Sequence, residues 1–66
     1  MNNKIRVARA EVRMTQQQLA DAADVSRQTI NAIESGKFIP STVLALKIAR
    51  IFSKQVEEIF QLEDGD

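Results

Sequence analysis

The sequence predicts an all-α fold, a compact bundle of five short helices in a single domain of 66 residues. Three observations carry that expectation. Apolar residues recur at three- and four-residue intervals along most of the chain. Polar capping residues stand where each apolar pattern begins. Gly36 and Pro40 interrupt the pattern between the third and fourth segments, as a helix stop and a new start require.

Helix 1 is expected over about residues 4–12, with Asn3 as N-cap and Ile5, Ala8 and Val12 on one face. Helix 2 is expected over 16–23. Thr15 and Gln18 form a capping box in front of it, and Met14 is placed to staple onto Leu19. Helix 3 follows Ser26, a second good N-cap, and ends near Ser35 at Gly36. Pro40, Ser41 and Thr42 open helix 4, which runs to about Phe52 and is apolar around most of its girth. A short helix 5 covers 56–60. The bundle proper spans about 4–60, and the acidic tail 61–66 has a composition that fits fraying. Residues 60–63 alternate apolar and polar, which also allows a short terminal strand against Met1–Asn3. The expected core is Ile5, Ala8, Val12, Leu19, Ala20, Val25, Ile30, Ile33, Leu44, Ala45, Ile48, Ala49, Phe52 and Ile59.

So small a domain is marginal, because a chain of about 60 residues buries only roughly 60% of its unfolded surface. The chain has no Cys and no His, so disulfides and the usual zinc ligands are excluded and no cofactor is expected. Helix packing remains, helped by self-association. No apolar run approaches the roughly 20 residues of a membrane span, and no signal-peptide apolar region is present. A cytoplasmic protein is expected. Enzymatic chemistry is disfavoured: the titratable groups are carboxylates, Lys and Arg, and Glu57 and Glu58 are adjacent on a helix, so they do not converge.

Net charge is zero, but its distribution is uneven. Residues 1–54 hold all nine basic side chains and only four of the nine acids, a local excess of five. This suits a basic face with an acidic end turned away from phosphates. Ordinary surface charge is the plainer alternative.

The segment from Thr15 to Pro40 reads as two short amphipathic helices with a tight connection, the pattern of a helix-turn-helix. In helix 3 only Ile30 and Ile33, with part of Thr29, point inward. Arg27, Gln28, Asn31, Ala32 and Ser35 face outward. A structural surface helix usually carries Glu–Lys pairs four apart. Arg, Gln and Asn are instead good partners for base edges in the major groove.

At this point the sequence resembles a known family. The run TQQQLADAADVSRQTINAIESGKFIPS, with LALKIARIF and VEEIF after it, is similar to the Cro/lambda-repressor-like (Xre-type) helix-turn-helix proteins. The resemblance spans about residues 4–60 and is closest to small stand-alone prokaryotic regulators. It implies a five-helix bundle that binds double-stranded DNA sequence-specifically as a homodimer, at a palindromic operator and usually as a repressor. Helix 3 would lie in the major groove, with Arg27, Gln28, Asn31 and Ala32 facing base edges. Gln16, Gln17, Ser26, Thr29, Ser35 and Lys37 would hold phosphates and fix register. Arg9 and Glu34 match positions that often form a structural ion pair, the alternative being a free Arg9 that contacts phosphate. Where relatives often carry Gly, this chain has Arg13, Asp24 and Ser53, and a left-handed backbone there would cost about 1–2 kcal/mol per residue. Lys54 and Gln55 replace an apolar residue and a capping hydroxyl at the start of helix 5.

Helix 4 carries more apolar surface than one core needs, leaving Val43, Leu46 and Ile51 facing outward. A two-fold contact is therefore expected from Val43, Leu46, Arg50, Val56 and Phe60. It would set two copies of helix 3 about one DNA turn, roughly 34 Å, apart. The competing reading is an antitoxin or adaptor module acting through protein–protein contacts.

Overall fold

Each of the five helices supplies at least one aliphatic side chain that is almost completely sealed from solvent, and these side chains meet in one core. They are Ile5, Leu19, Ile30, Ile33, Ile48 and Ile59. Full burial of a side chain of this size stabilises by about 1.5–3 kcal/mol. In the computed structural model, which describes all residues from Met1 to Asp66, the order is β1 (Asn2–Asn3), α1 (Ile5–Glu11), α2 (Gln16–Ala23), α3 (Arg27–Glu34), α4 (Thr42–Ile51), α5 (Val56–Ile59) and β2 (Phe60–Gln61). The five helices and their bounds follow the sequence reading closely. No helix is long and apolar enough to cross a membrane.

Local chemistry fixes the helix ends. Thr15 and Gln18 make the capping box: Thr15 Oγ1 accepts from Gln18 N at 3.0 Å, and Gln18 Oε1 accepts from Thr15 N at 2.8 Å. Ser26 Oγ and Ser41 Oγ accept from the third amides of α3 and α4 at 3.1 and 3.2 Å. These bonds satisfy donors that a helix start leaves without intrahelical partners. At the start of α5, Glu58 Oε1 accepts from Gln55 N at 2.8 Å, the half of a capping box that reaches from the third helical residue back to the N-cap amide.

α1 through α4 all end in the same way, with a left-handed residue. Arg13, Asp24 and Ser53 have φ of 55, 59 and 54°, and Gly36 has 79°. After each of the four, the next amide reaches back across the last turn: Met14 N to Arg9 O, Val25 N to Ala20 O, Lys37 N to Ala32 O, and Lys54 N to Ala49 O, all at 2.9–3.0 Å. Only Gly36 adopts this conformation without a Cβ penalty.

The terminal strand forms. Asn2 pairs with Gln61 and Asn3 with Phe60 in an antiparallel register. Asn3 acts one residue earlier than an N-cap: Lys4 is the boundary residue, while Asn3 Oδ1 accepts from Ile5 N at 3.2 Å. Its Nδ2 donates to Ile33 O at 2.9 Å and so ties the strand to the end of α3. The acidic tail is solvent-exposed but not extended. It folds into a turn, with the Met1 ammonium 3.0 Å from Asp66 Oδ2 and 3.4 Å from Glu63 Oε1.

The core differs from expectation at five places. Val12 is 55% exposed, because α1 stops at Glu11 and the chain turns through Arg13 before the next helical turn is complete. Val25 and Ala45 are only partly buried at its edge. Ala23 and Phe60, in contrast, belong to the buried set.

Candidate nucleic-acid interface

α3 is held by two isoleucines and presents the rest of its circumference. Ile30 and Ile33 are buried, and Arg27, Gln28, Asn31 and Ser35 are exposed. Ala32 and Thr29 are half-buried at the margins of that face. Arg27, Gln28 and Asn31 together line one shallow surface concavity that contains no hydrophobic residue. The side-chain hydrogen bonds of this segment belong to Ser26, Thr29, Glu34 and Ser35. Arg27, Gln28 and Asn31 take no part in them, so their donors and acceptors face outward unspent.

The six phosphate candidates are placed less uniformly. Lys37 is exposed, just past the Gly36 turn. Ser26 Oγ and Thr29 Oγ1 lie 3.0 Å apart and hydrogen-bond each other. Ser35 Oγ donates to Ala32 O at 3.2 Å. Gln17 Nε2 donates to Asp21 Oδ1 at 2.8 Å, and Gln16 Nε2 donates to Glu34 Oε1 at 3.2 Å. The backbone amides of Gln16 and Gln17, and of Arg27 and Gln28, have no helical carbonyl upstream to bond and stay open at the two helix starts.

Behind this surface lies the expected ion pair. Arg9 Nε and Nη2 donate to the two oxygens of Glu34 at 2.6 and 3.0 Å. Arg9 Nη1 donates to Met14 O at 2.9 Å, and Arg6 Nε stands 3.6 Å from Glu34 Oε1. The Glu34 side chain is 1% exposed. Burial alone would raise its pKa. The hydrogen bonds from Arg9 and Gln16 and the charges of Arg9 and Arg6 outweigh that and hold it below the usual carboxylate value. The Glu34 bond raises the Arg9 guanidinium further above its already high value. The cluster joins α1, the α1–α2 loop, the start of α2 and the end of α3, which fixes how α3 projects.

α2 and α3 are joined by the three-residue turn Asp24–Val25–Ser26, the connection of a helix-turn-helix. A helix-turn-helix family model matches residues 5–59, nearly the whole structured chain. The chain belongs to that family. Its kind is the Xre-type, lambda-repressor-like group of DNA-binding transcriptional regulators. An uncharacterized HTH-type transcriptional regulator of Methanocaldococcus jannaschii is 50% identical over 66 residues, all of both chains. Another, of Bacillus subtilis, is 44% identical over 64 residues, 97% of each chain. Among solved structures, the clp gene regulator ClgR of Corynebacterium glutamicum superposes with a TM-score of 0.77 at 26% identity. That match covers 82% of this chain, which spans 57% of the ClgR chain.

Two further surfaces of this helix-turn-helix domain stand out. On α4, Val43 and Leu46 are 66% and 53% exposed and line a shallow cleft with Lys47 and Arg50. Val56 and Ile51 pack partly against the chain's own core. Phe60 does not belong to this outward surface. The chain leaves α5 in extended conformation, and pairing with Asn3 carries Phe60 into the core. The second surface is Phe38, a residue without a role in the sequence reading. It is half exposed beside Ser26, Gln28, Thr29 and Ala32. Two adjacent large apolar residues, Phe38 and Ile39, in the turn after Gly36 are the signal that would have marked it.

Proposed function

We propose that this protein reads double-stranded DNA sequence-specifically, with α3 in the major groove, and that it acts as a homodimeric repressor on a palindromic operator. The observation that carries this reading is the outward side of α3, where Arg27, Gln28 and Asn31 keep all their hydrogen-bonding capacity. Arg matches guanine O6 and N7, Gln and Asn match adenine N6 and N7, and Ala32 matches a thymine methyl. Lys37 and the open amides at the starts of α2 and α3 supply phosphate contacts that set register. Gln16, Gln17, Ser26, Thr29 and Ser35 assist at the same strand edges, Gln16 chiefly by fixing Glu34.

Dimerisation through Val43, Leu46 and Arg50, flanked by Val56, is supported by the exposed apolar pair on α4. Repression is favoured because occupancy alone excludes another protein from the operator, whereas activation needs a further contact. Such a regulator works in the cytoplasm, where the chromosome lies, and needs neither metal nor cofactor. The same apolar pair favours a second reading, an antitoxin or adaptor that docks another protein there.

Selection of bound sites from a random duplex pool at stated salt tests both. Palindromic sites are expected. Recovery of no preferred site at low salt, with Arg27→Ala and Gln28→Ala variants behaving as the parent, would overturn DNA reading in favour of the adaptor.

A further inference from the structure

Phe38 sits where the helix-turn-helix surface changes from polar to apolar. Three donors converge on the Ala32 carbonyl oxygen: Lys37 N at 2.9 Å, Phe38 N at 3.2 Å and Ser35 Oγ at 3.2 Å. The loop after Gly36 is thereby pinned to the last turn of α3, and Phe38 is held beside the helix face. Phe38 is 49% exposed and stands outside the core cluster. Together with Ser26, Gln28, Thr29 and Ala32 it lines a continuous concavity. The Ser26 and Thr29 hydroxyls bond each other, which leaves one O–H of the pair free, and the apolar groups of this hollow are the Thr29 methyl, the Ala32 Cβ and the Phe38 ring. One of its walls is Gln28, which also lines the polar concavity with Arg27 and Asn31. A small apolar notch is therefore continuous with the polar reading face.

Among groups that bases display in the major groove, the thymine C5-methyl is the apolar one. We infer that Phe38, with Thr29 and Ala32, receives the C5-methyl of a thymine next to the base pair engaged by Gln28, which makes Phe38 a specificity-determining residue. This rests on the proposed placement of α3 in the major groove. An aromatic ring supplies the large apolar contact that Ala32 alone lacks.

The test uses the full chain and a duplex recovered by random-pool selection. Each thymine is replaced in turn by deoxyuridine, which removes the methyl and keeps every hydrogen-bonding group. With the parent protein, one position in each half-site should weaken binding by about fourfold when replaced singly, the factor that accompanies loss of one buried methyl-sized group. Phe38→Ala should bind the thymine duplex more weakly and lose its sensitivity to that replacement, while Phe38→Leu should keep part of it. Circular dichroism of both variants should show parental helix content, since Phe38 is outside the core.

If no deoxyuridine position affects the parent, or if Phe38→Ala keeps the parental sensitivity, the notch does not read a methyl. Uniform weakening on all sequences with sensitivity retained would assign the ring to deoxyribose and overturn the inference. A shift of Phe38→Ala to monomer in sedimentation would assign it to a contact between copies, with the same consequence. Failure of the parent to bind any duplex overturns instead the reading on which the inference stands.

Discussion

Arg9 grips Glu34 by two hydrogen bonds, 2.6 and 3.0 Å long, across 25 residues of sequence, and the same guanidinium holds the Met14 carbonyl at 2.9 Å. One side chain thus sets the α1–α2 loop and the end of α3 in a common frame. Arg9→Ala would leave the sealed Glu34 carboxylate with Gln16 and the more distant Arg6 only. Loss of one partner from a buried pair costs about 3–5 kcal/mol. That is a large share of the 5–15 kcal/mol typical of whole domains. Urea unfolding of Arg9→Ala should show a lower midpoint with an unchanged slope.

The same pair gives the acid limb of stability a definite sign. Glu34 titrates below its ordinary 4.5 in the folded chain, so the folded state binds this proton less readily than the unfolded state. Its contribution is fully present above the unfolded value and is lost as pH falls through the lower folded one. Unfolding free energy should therefore decline as pH drops below about 4.5. Glu34→Gln, which carries no such proton, should be less stable at neutral pH and show a flatter decline. An equally steep decline in that variant would place the acid sensitivity elsewhere.

Arg13 and Ser53 hold left-handed backbones that glycine would adopt freely. The conformation costs a non-glycine residue about 1–2 kcal/mol, of which the unfolded-state entropy of glycine returns roughly 0.5–1. Ser53→Gly should thus stabilise by about 0.5–1 kcal/mol, several degrees in Tm for so small a domain. Asp24→Gly should gain less, because Asp tolerates this region better. Thermal unfolding checks the order.

Helix bounds were legible in the chain because caps act locally: Thr15 with Gln18, and Ser26 with the Thr29 amide, lie three residues apart. Val12 was misplaced because periodicity does not report where a chain turns, and Arg13 turns it one residue later. Phe60 was assigned outward because a four-residue helix is too short to fix a face, and its burial depends on pairing with Asn3 at the other end of the chain. The bond from Gln16 to Glu34 spans 18 residues and has no local signature. The exposed polar face of α3 was legible for a different reason. An exposed helix surface built from Arg, Gln and Asn lacks the charge pairs that solubility alone selects.

Base and phosphate contacts separate by their dependence on sequence and salt. Gln28→Ala should cost about 1–3 kcal/mol on the selected operator and relax preference at one base pair. Lys37→Ala should weaken binding to every duplex and lower the salt slope by about one unit for each bound copy. Titrations at several salt concentrations, on operator and scrambled duplex, resolve the two. If both variants bind as the parent does throughout, neither role is correct.

Val43 and Leu46 lie three residues apart on one face of α4, with Arg50 four further on, so a charge introduced at Leu46 falls in the middle of the exposed strip. Leu46 is outside the core, so Leu46→Asp should fold normally. In a two-fold contact the new carboxylates of both copies would face each other across an apolar seam, which disfavours association. Sedimentation at micromolar concentration should then show a monomer for Leu46→Asp and a dimer for the parent. Operator binding should fall by about a hundredfold or more, because linking two half-site contacts commonly contributes 10²–10⁴ in affinity. A parent that stays monomeric on its own operator would rule out this surface as the two-fold contact.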